Sequence, residues 1–265
     1  MGKTTLLAID IGNSSISMGF FTESRLLGKL AIPSSPKKES NYYKKKIKTF
    51  LSKNCVEIPL GGVIISSVVP ELTGTLNNSV NDLSDRRPMV VKASLNTGLE
   101  FDVESPDKVG GDRISNAVAA RELYGSPVLV VDFGTATSMS AVKGRRFVGG
   151  AILPGLRLMG DSLHRGTAKL PPVNVKTRIA ELRIPAVGKN TAMCIMSGIL
   201  YGLAGAAERL IEEMEDEEHC KFRIVVTGGH CREMAHFLRR EHHSDPDLTL
   251  KGLNLIFERN ATCMN

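Results

Sequence analysis

The sequence predicts an α/β chain built of two similar halves, and three observations carry that prediction. Short apolar runs of strand length alternate with segments of helical spacing. The stretch LLAIDIGNSSISMGF at 6–20 is echoed by LVVDFGTATSMSAV at 129–142, each an apolar run ending in Asp-x-Gly followed by a second extended segment. The length, 265 residues, fits two domains at about 150 residues each. Setting Asp10 on Asp132 puts Gly12 on Gly134, Asn13 on Thr135 and Ser15 on Thr137. A single echo of this size implies two halves and not a solenoid, which needs three or more units. The expected division is 1–118 and 119–265, with the two turns facing each other across a cleft.

The elements follow in order. Residues 6–9, 16–21 and 26–32 read as three strands joined by tight turns, and 33–40 (PSSPKKES) as a polar loop. Tyr43, Ile47 and Leu51 give 41–53 helical spacing. Val63-Ile64-Ile65 is a buried strand that ends at Ser66-Ser67-Val68-Val69-Pro70. A helix fills 71–84 and Met89-Val90-Val91 is another strand. Residues 94–110 read as irregular. Gly111 to Leu123 is a helix with Ile114, Val118 and Ala119 on one face, and Val128 to Val131 is the strand that leads into Asp132. A strand at 222–226 precedes Thr227-Gly228-Gly229 and a helix. The helix-rich stretch 189–216 carries Ile195, Ile199, Leu203 and Leu210, a stripe that reads first as core, with Gly198 and Gly202 permitting close helix approach.

Composition excludes several classes. Hydrophobic residues make up 42% and charged residues 23%, so the chain has material for a core and is not disordered. No run approaches the roughly 18 apolar residues of a membrane span. Asp10 interrupts the first apolar run, which argues against a signal peptide and for a cytoplasmic protein. The net charge of +6 is mild, and Lys37-Lys38 and Lys44-Lys45-Lys46 lack interleaved aromatics, so they read as solvated faces and not as a nucleic-acid platform. The positive balance suits an anionic substrate. Cysteines 55, 194, 220, 231 and 263 form no CxxC pair and read as reduced thiols. In His219-Cys220 and His230-Cys231 neighbouring side chains point apart, so neither pair reads as a zinc site.

An ionised Asp at the end of an apolar strand is costly unless it is paired or bound to a cation. A glycine two residues on permits a tight turn whose amides can face anionic oxygens. With nearby Ser, Thr and Asn side chains, each turn therefore reads as a site for phosphate plus cation. Gly2-Lys3-Thr4 precedes its strand and fails as a Walker loop, and Gly149-Gly150 with Gly155 lacks dinucleotide-binding spacing. In Gly110-Gly111-Asp112-Arg113 the Asp is either a first-turn charge on the helix dipole or a general base beside an anion-binding Arg.

Asp10-Ile11-Gly12-Asn13, Gly110-Gly111-Asp112-Arg113, Asp132-Phe133-Gly134-Thr135-Ala136, Gly150-Ala151-Ile152-Leu153-Pro154-Gly155 and Thr227-Gly228-Gly229 occur in an order that resembles the type III pantothenate kinases. Thr167-Ala168-Lys169-Leu170-Pro171, Gly188-Lys189-Asn190-Thr191 and Leu248-Thr249-Leu250-Lys251-Gly252-Leu253 strengthen the resemblance, which runs from about residue 6 to 258. It implies the acetate and sugar kinase, Hsp70 and actin superfamily, with two ribonuclease-H-like halves. It also implies ATP-dependent phosphorylation of pantothenate, the first step toward coenzyme A, by a homodimer that uses Mg2+ and K+ or NH4+.

By resemblance, Asp10, Ile11, Gly12, Asn13, Ser14, Ser15, Ile16 and Ser17 bind the ATP phosphates, with Asp10 organising the divalent metal. Asp112 accepts the proton, and Gly110, Gly111, Asp112 and Arg113 hold pantothenate. Asp132 takes the monovalent cation, Thr135 ATP and Thr191 substrate. The family's substrate-contacting Tyr is replaced by Val103, and Gly111 stands where Ala is common. Alternatives are a nonenzymatic regulatory homologue, which Val103 alone favours, and a kinase for another small alcohol.

Overall fold

The computed structural model describes residues 5–173 and 184–261. Gly2-Lys3-Thr4 and Cys263 lie outside the described residues. The chain divides at 119/120 into two units, and its last helix returns to the first: residues 1–119 and 248–265 form one unit, 120–247 the other.

In the first unit, β1 (Thr5–Ile11), β2 (Ser15–Thr22) and β3 (Arg25–Pro33) form an antiparallel meander. Helix α1 (Ser40–Lys53) leads to β4 (Gly62–Ser67), which pairs parallel with β1, and α2 (Pro70–Val80) leads to β5 (Met89–Val90), parallel to β4. The sheet order is β3-β2-β1-β4-β5. Pro70 opens α2, where its missing N–H costs nothing, and the helix tightens into a 3-10 turn at Asn81–Leu83 instead of running to 84. The stretch 94–110 holds β6 (Glu100–Phe101) and a 3-10 turn at Pro106–Lys108 before α3 (Gly111–Tyr124) begins.

The second unit repeats the plan. Strands β7 (Val128–Phe133), β8 (Ala136–Lys143) and β9 (Arg146–Gly149) are antiparallel, and β10 (Ile152–Pro154) folds back onto β8. After α4 (Leu156–Arg165) and α5 (Thr191–Glu217), β11 (Arg223–Thr227) lies parallel to β7. Helix α6 (Cys231–Ala235) and β12 (His243–Ser244) follow, with β12 parallel to β11. The order β9-β8-β7-β11-β12 reproduces β3-β2-β1-β4-β5. Helix α7 (Leu248–Ala261) closes the chain.

Alternation of side chains along β1 explains why the last helix leaves the second half. Leu7, Ile9 and Ile11 pack with α1 and α2, whereas Leu6 and Ala8 join Ile64, Ile114 and Val118 in a core that Leu250, Leu253 and Ile256 of α7 complete. Gly252 lets α7 approach the backbone at Ser115, where a β-carbon would collide. A division at 118/119 misses this return. In the second unit Leu129, Val131 and Phe133 pack against Ile195, Ile199, Leu200 and Leu203 of α5. That helix is 27 residues long and, by length and composition, apolar enough to cross a membrane, contrary to the expectation from the sequence. Its apolar stripe is core packing for this unit, while Gly198 and Gly202 are exposed with open space beside them.

Candidate active site

Each unit presents a corner where its first strand ends. In the first, Asp10 lies in register with Ser17 on β2 and Ser66 on β4, so three polar side chains cross one face of three adjacent strands. The β1–β2 pairing closes at Ile11 and Ile16, and the turn is fastened where Gly12 N–H donates to the Ser15 carbonyl at 3.0 Å. Asn13, Ser14 and Ser15 are exposed. Ser34 holds the tongue from outside: its hydroxyl donates to the Gly12 carbonyl at 2.6 Å and its N–H to the Ser14 carbonyl at 3.1 Å. Ile16 is buried beneath, and Ile11 accepts from Val68 N–H at 3.1 Å.

The second corner has the same frame. Asp132 lies in register with Ser138 on β8 and Thr227 on β11. The turn closes at Phe133 and Thr137, one residue sooner than its counterpart. The sequence pairing of Ser15 with Thr137 is therefore corrected: Ser15 corresponds to Ala136 and Ser17 to Ser138, and β2 and β8 then share one burial pattern. Gly155 N–H donates to the Thr135 carbonyl at 3.1 Å, as Ser34 does to Ser14, and His230 N–H donates to the Phe133 carbonyl at 3.0 Å. This corner is tight. A β-carbon at Gly155 would strike the Gly134 and Thr135 carbonyl oxygens. Gly228, at φ +95°, lies so close to Asp132 and Phe133 that a side chain has no room.

The start of α3 brings a second carboxylate into the first unit. Asp112 Oδ1 accepts the Arg113 N–H at 2.8 Å, and Ile114 N–H donates to the Gly110 carbonyl at 3.0 Å. Gly111 sits against β4, since a β-carbon there would stand 3.1 Å from Ser66 Oγ. Burial pushes the Asp112 carboxyl above the ordinary aspartate range, against the opposing pull of Arg113. Burial also lowers the Arg113 guanidinium, which stays charged. A raised carboxylate beside an arginine at a helix start is suited to accepting a proton next to a bound anion.

The structure thus joins Asp10 and the Gly110–Arg113 turn through Ser66 in the first unit. Val103 is half-buried in the segment ahead of that turn. Asp132 and Thr135 belong to the second unit, as does Thr191, which is exposed in the first turn of α5 behind the Asn190 cap; Asn190 Oδ1 accepts from Met193 N–H at 2.9 Å. Sequence reasoning did not single out Ser66. Its signal was a polar residue closing an apolar strand, the same feature that marks Asp10. Among the described residues no three His, Cys, Asp or Glu side chains gather as a metal cage.

Paired sheets of this order, each with an Asp-bearing corner, define an actin-like ATPase fold of two ribonuclease-H-like units. Solved structures with this fold include the activator of 2-hydroxyisocaproyl-CoA dehydratase from Clostridium difficile with bound ADPNP. It has 10% identity and a TM-score of 0.55, over 99% of this chain and 97% of that one. MreB 5 of Spiroplasma citri bound to AMPPNP has 10% identity and a TM-score of 0.55, over 100% and 98%. The type III pantothenate kinase family model matches residues 6–213. A type III pantothenate kinase from Moorella thermoacetica is 37% identical over 259 residues, 97% of this chain and 100% of the relative. The chain belongs to the type III pantothenate kinase family.

Proposed function

We propose that this protein transfers the γ-phosphoryl group of ATP to the primary hydroxyl of pantothenate, giving 4'-phosphopantothenate, the first step of coenzyme A synthesis. The observation that supports it most is the half-buried Asp112, raised by burial and set beside Arg113 at the start of α3. Phosphoryl transfer asks mainly for positioning and neutralised charge, with one carboxylate to take the hydroxyl proton. Asp112 takes that proton. Arg113 pairs with the pantothenate carboxylate, with Gly110 and Gly111 at its side and Thr191 contributing from α5. The 10–17 tongue cradles the ATP phosphates and Thr135 contacts the nucleotide.

The donor sets fit the ions that the family implies. Asp10 belongs to no group of three His, Cys, Asp or Glu side chains among the described residues, which suits Mg2+ held largely by phosphate oxygens and water more than a protein cage. Asp132 has the buried hydroxyl of Thr227 in register beside it, an all-oxygen set suited to K+ or NH4+. The divalent ion supplies charge neutralisation on the phosphates. Homodimer formation through the open Gly198 and Gly202 face of α5, and residence in the cytoplasm without nucleic-acid or membrane partners, belong to the same proposal.

A regulatory, nonenzymatic role is favoured by Val103, which removes an aromatic contact to substrate. An ATP-dependent phosphorylation assay decides. Pantothenate turnover that rises with potassium supports the kinase. Turnover of a different alcohol moves the substrate assignment, and no turnover with any alcohol supports the regulatory role.

A further inference from the structure

Ser66 is fully buried, and its hydroxyl has no hydrogen-bond partner among the described residues. Its neighbour shows that the backbone here is not short of partners. Ser67 Oγ accepts from Val69 N–H at 3.1 Å and from Thr73 Oγ1 at 2.7 Å, and donates to the Val69 carbonyl at 3.2 Å. A buried orphan hydroxyl is a cost that folding alone gives no reason to keep. The same cost recurs at the corresponding place in the second unit, where Thr227 Oγ1, in register with Asp132, is also buried and without a partner. Two orphan hydroxyls, each beside the Asp that ends a first strand, point to ligands as the missing partners.

In the first unit the surroundings narrow the ligand. Ser66 is in register with Asp10 on one side, and its Oγ lies 3.1 Å from the β-carbon position of Gly111, the first residue of α3, on the other. A helix start carries positive potential, and a hydroxyl there can donate to an anionic oxygen. We propose that Ser66 is a further residue of the phosphoryl-transfer site, its hydroxyl donating to an oxygen of the phosphoryl group in flight. This rests on the reading that phosphates lie at the Asp10 tongue and the acceptor alcohol at the start of α3. In the step itself the pantothenate oxygen forms a bond to phosphorus as the bond to the ADP oxygen breaks, and the alcohol proton goes to Asp112. Ser66 makes and breaks no covalent bond; it stabilises charge on the equatorial oxygens.

The test compares Ser66→Ala, Ser66→Thr and Asp112→Asn with the wild type, measuring kcat, both KM values and the melting temperature of the ligand-free protein. Ser66→Ala is expected to lower kcat by about a hundredfold, the scale of losing one preorganised donor, with both KM values within about threefold. Its ligand-free melting temperature is expected to hold or rise by about 2–4 °C, because an unpartnered hydroxyl is removed. Ser66→Thr, the residue type that the second unit already carries at this place, is expected to restore most of the turnover. A Ser66→Ala protein with wild-type kcat, or one whose loss follows a fallen melting temperature and is not rescued by Thr, overturns the proposal. Absence of pantothenate turnover in the wild type, or full activity in Asp112→Asn, instead overturns the underlying reading.

Discussion

The two corners are built alike and dressed differently. Each has an Asp ending a buried strand, a Ser beside it on the antiparallel partner and a hydroxyl beside it on the parallel partner. Each turn is tied by an amide from a later segment, Ser34 in one and Gly155 in the other. The first corner spends one more residue on its turn and leaves Asn13, Ser14 and Ser15 exposed, a polar tongue suited to phosphate oxygens. The second is shorter and pressed by the backbone of Gly155 and Gly228, which suits a small spherical ion. In the first, the start of α3, with Asp112 in its first turn, packs onto the neighbouring strand β4. Under the proposed function, one frame serves two tasks through a single inserted residue and the identity of what packs against it.

The largest effect expected on this comparison comes from Asp112. Asp112→Asn is expected to reduce kcat by about 10²–10⁴-fold in steady-state assays, the usual weight of a general base. The raised carboxyl also fixes the sign of two pH effects. Pantothenate turnover is expected to fall as pH drops through the Asp112 value, with an acid limb above the ordinary aspartate range, as a pH–rate profile reads. Because the folded state favours the protonated acid, its stabilising contribution is present at low pH and is lost as pH rises through that value. Ligand-free Asp112→Asn is therefore expected to melt no lower than the wild type at pH 7 to 8.

The difference in packing is tested next. Gly155→Ala drives a methyl into two carbonyl oxygens and is expected to cost about 1–3 kcal/mol in denaturant unfolding, whereas Gly12→Ala, whose β-carbon would sit 3.1 Å from the Ser15 carbonyl oxygen, is expected to cost less. Equal costs would show that the two corners are equally tight. Asp132→Ala is expected to make turnover the same with and without potassium, while a wild type indifferent to potassium removes the cation from this corner. The smallest change is expected from Val103→Tyr, a lower KM for pantothenate at unchanged kcat. No change in KM would place the substrate away from residue 103.

Much of this architecture was legible in the sequence because strands buried on both faces leave continuous apolar runs, and the Asp that ends each run is conspicuous. The echo of 6–20 in 129–142 identified two halves of one plan. What escaped depends on contacts far apart in sequence. Nothing local in 248–261 says that Leu250, Leu253 and Ile256 return to the first sheet. The one-residue offset between the turns was hidden because Gly-Asn-Ser-Ser and Gly-Thr-Ala align without a gap until the β-pairing is seen. Ser66 and Thr227 looked like ordinary ends of strands, since a missing hydrogen bond leaves no trace in sequence. The apolar character of α5 is concealed because Ser197, Gly198, Gly202 and Gly205 interrupt the run of large apolar residues without adding charge.

The most direct test is phosphorylation of pantothenate by the purified protein, followed as pantothenate-dependent ADP release from ATP with and without potassium, for wild type beside Asp112→Asn. Under the proposed mechanism, turnover in the wild type is expected to require pantothenate and to rise with potassium, and to collapse in the variant. Pantothenate-independent ADP release, or a variant as fast as the wild type, would contradict it.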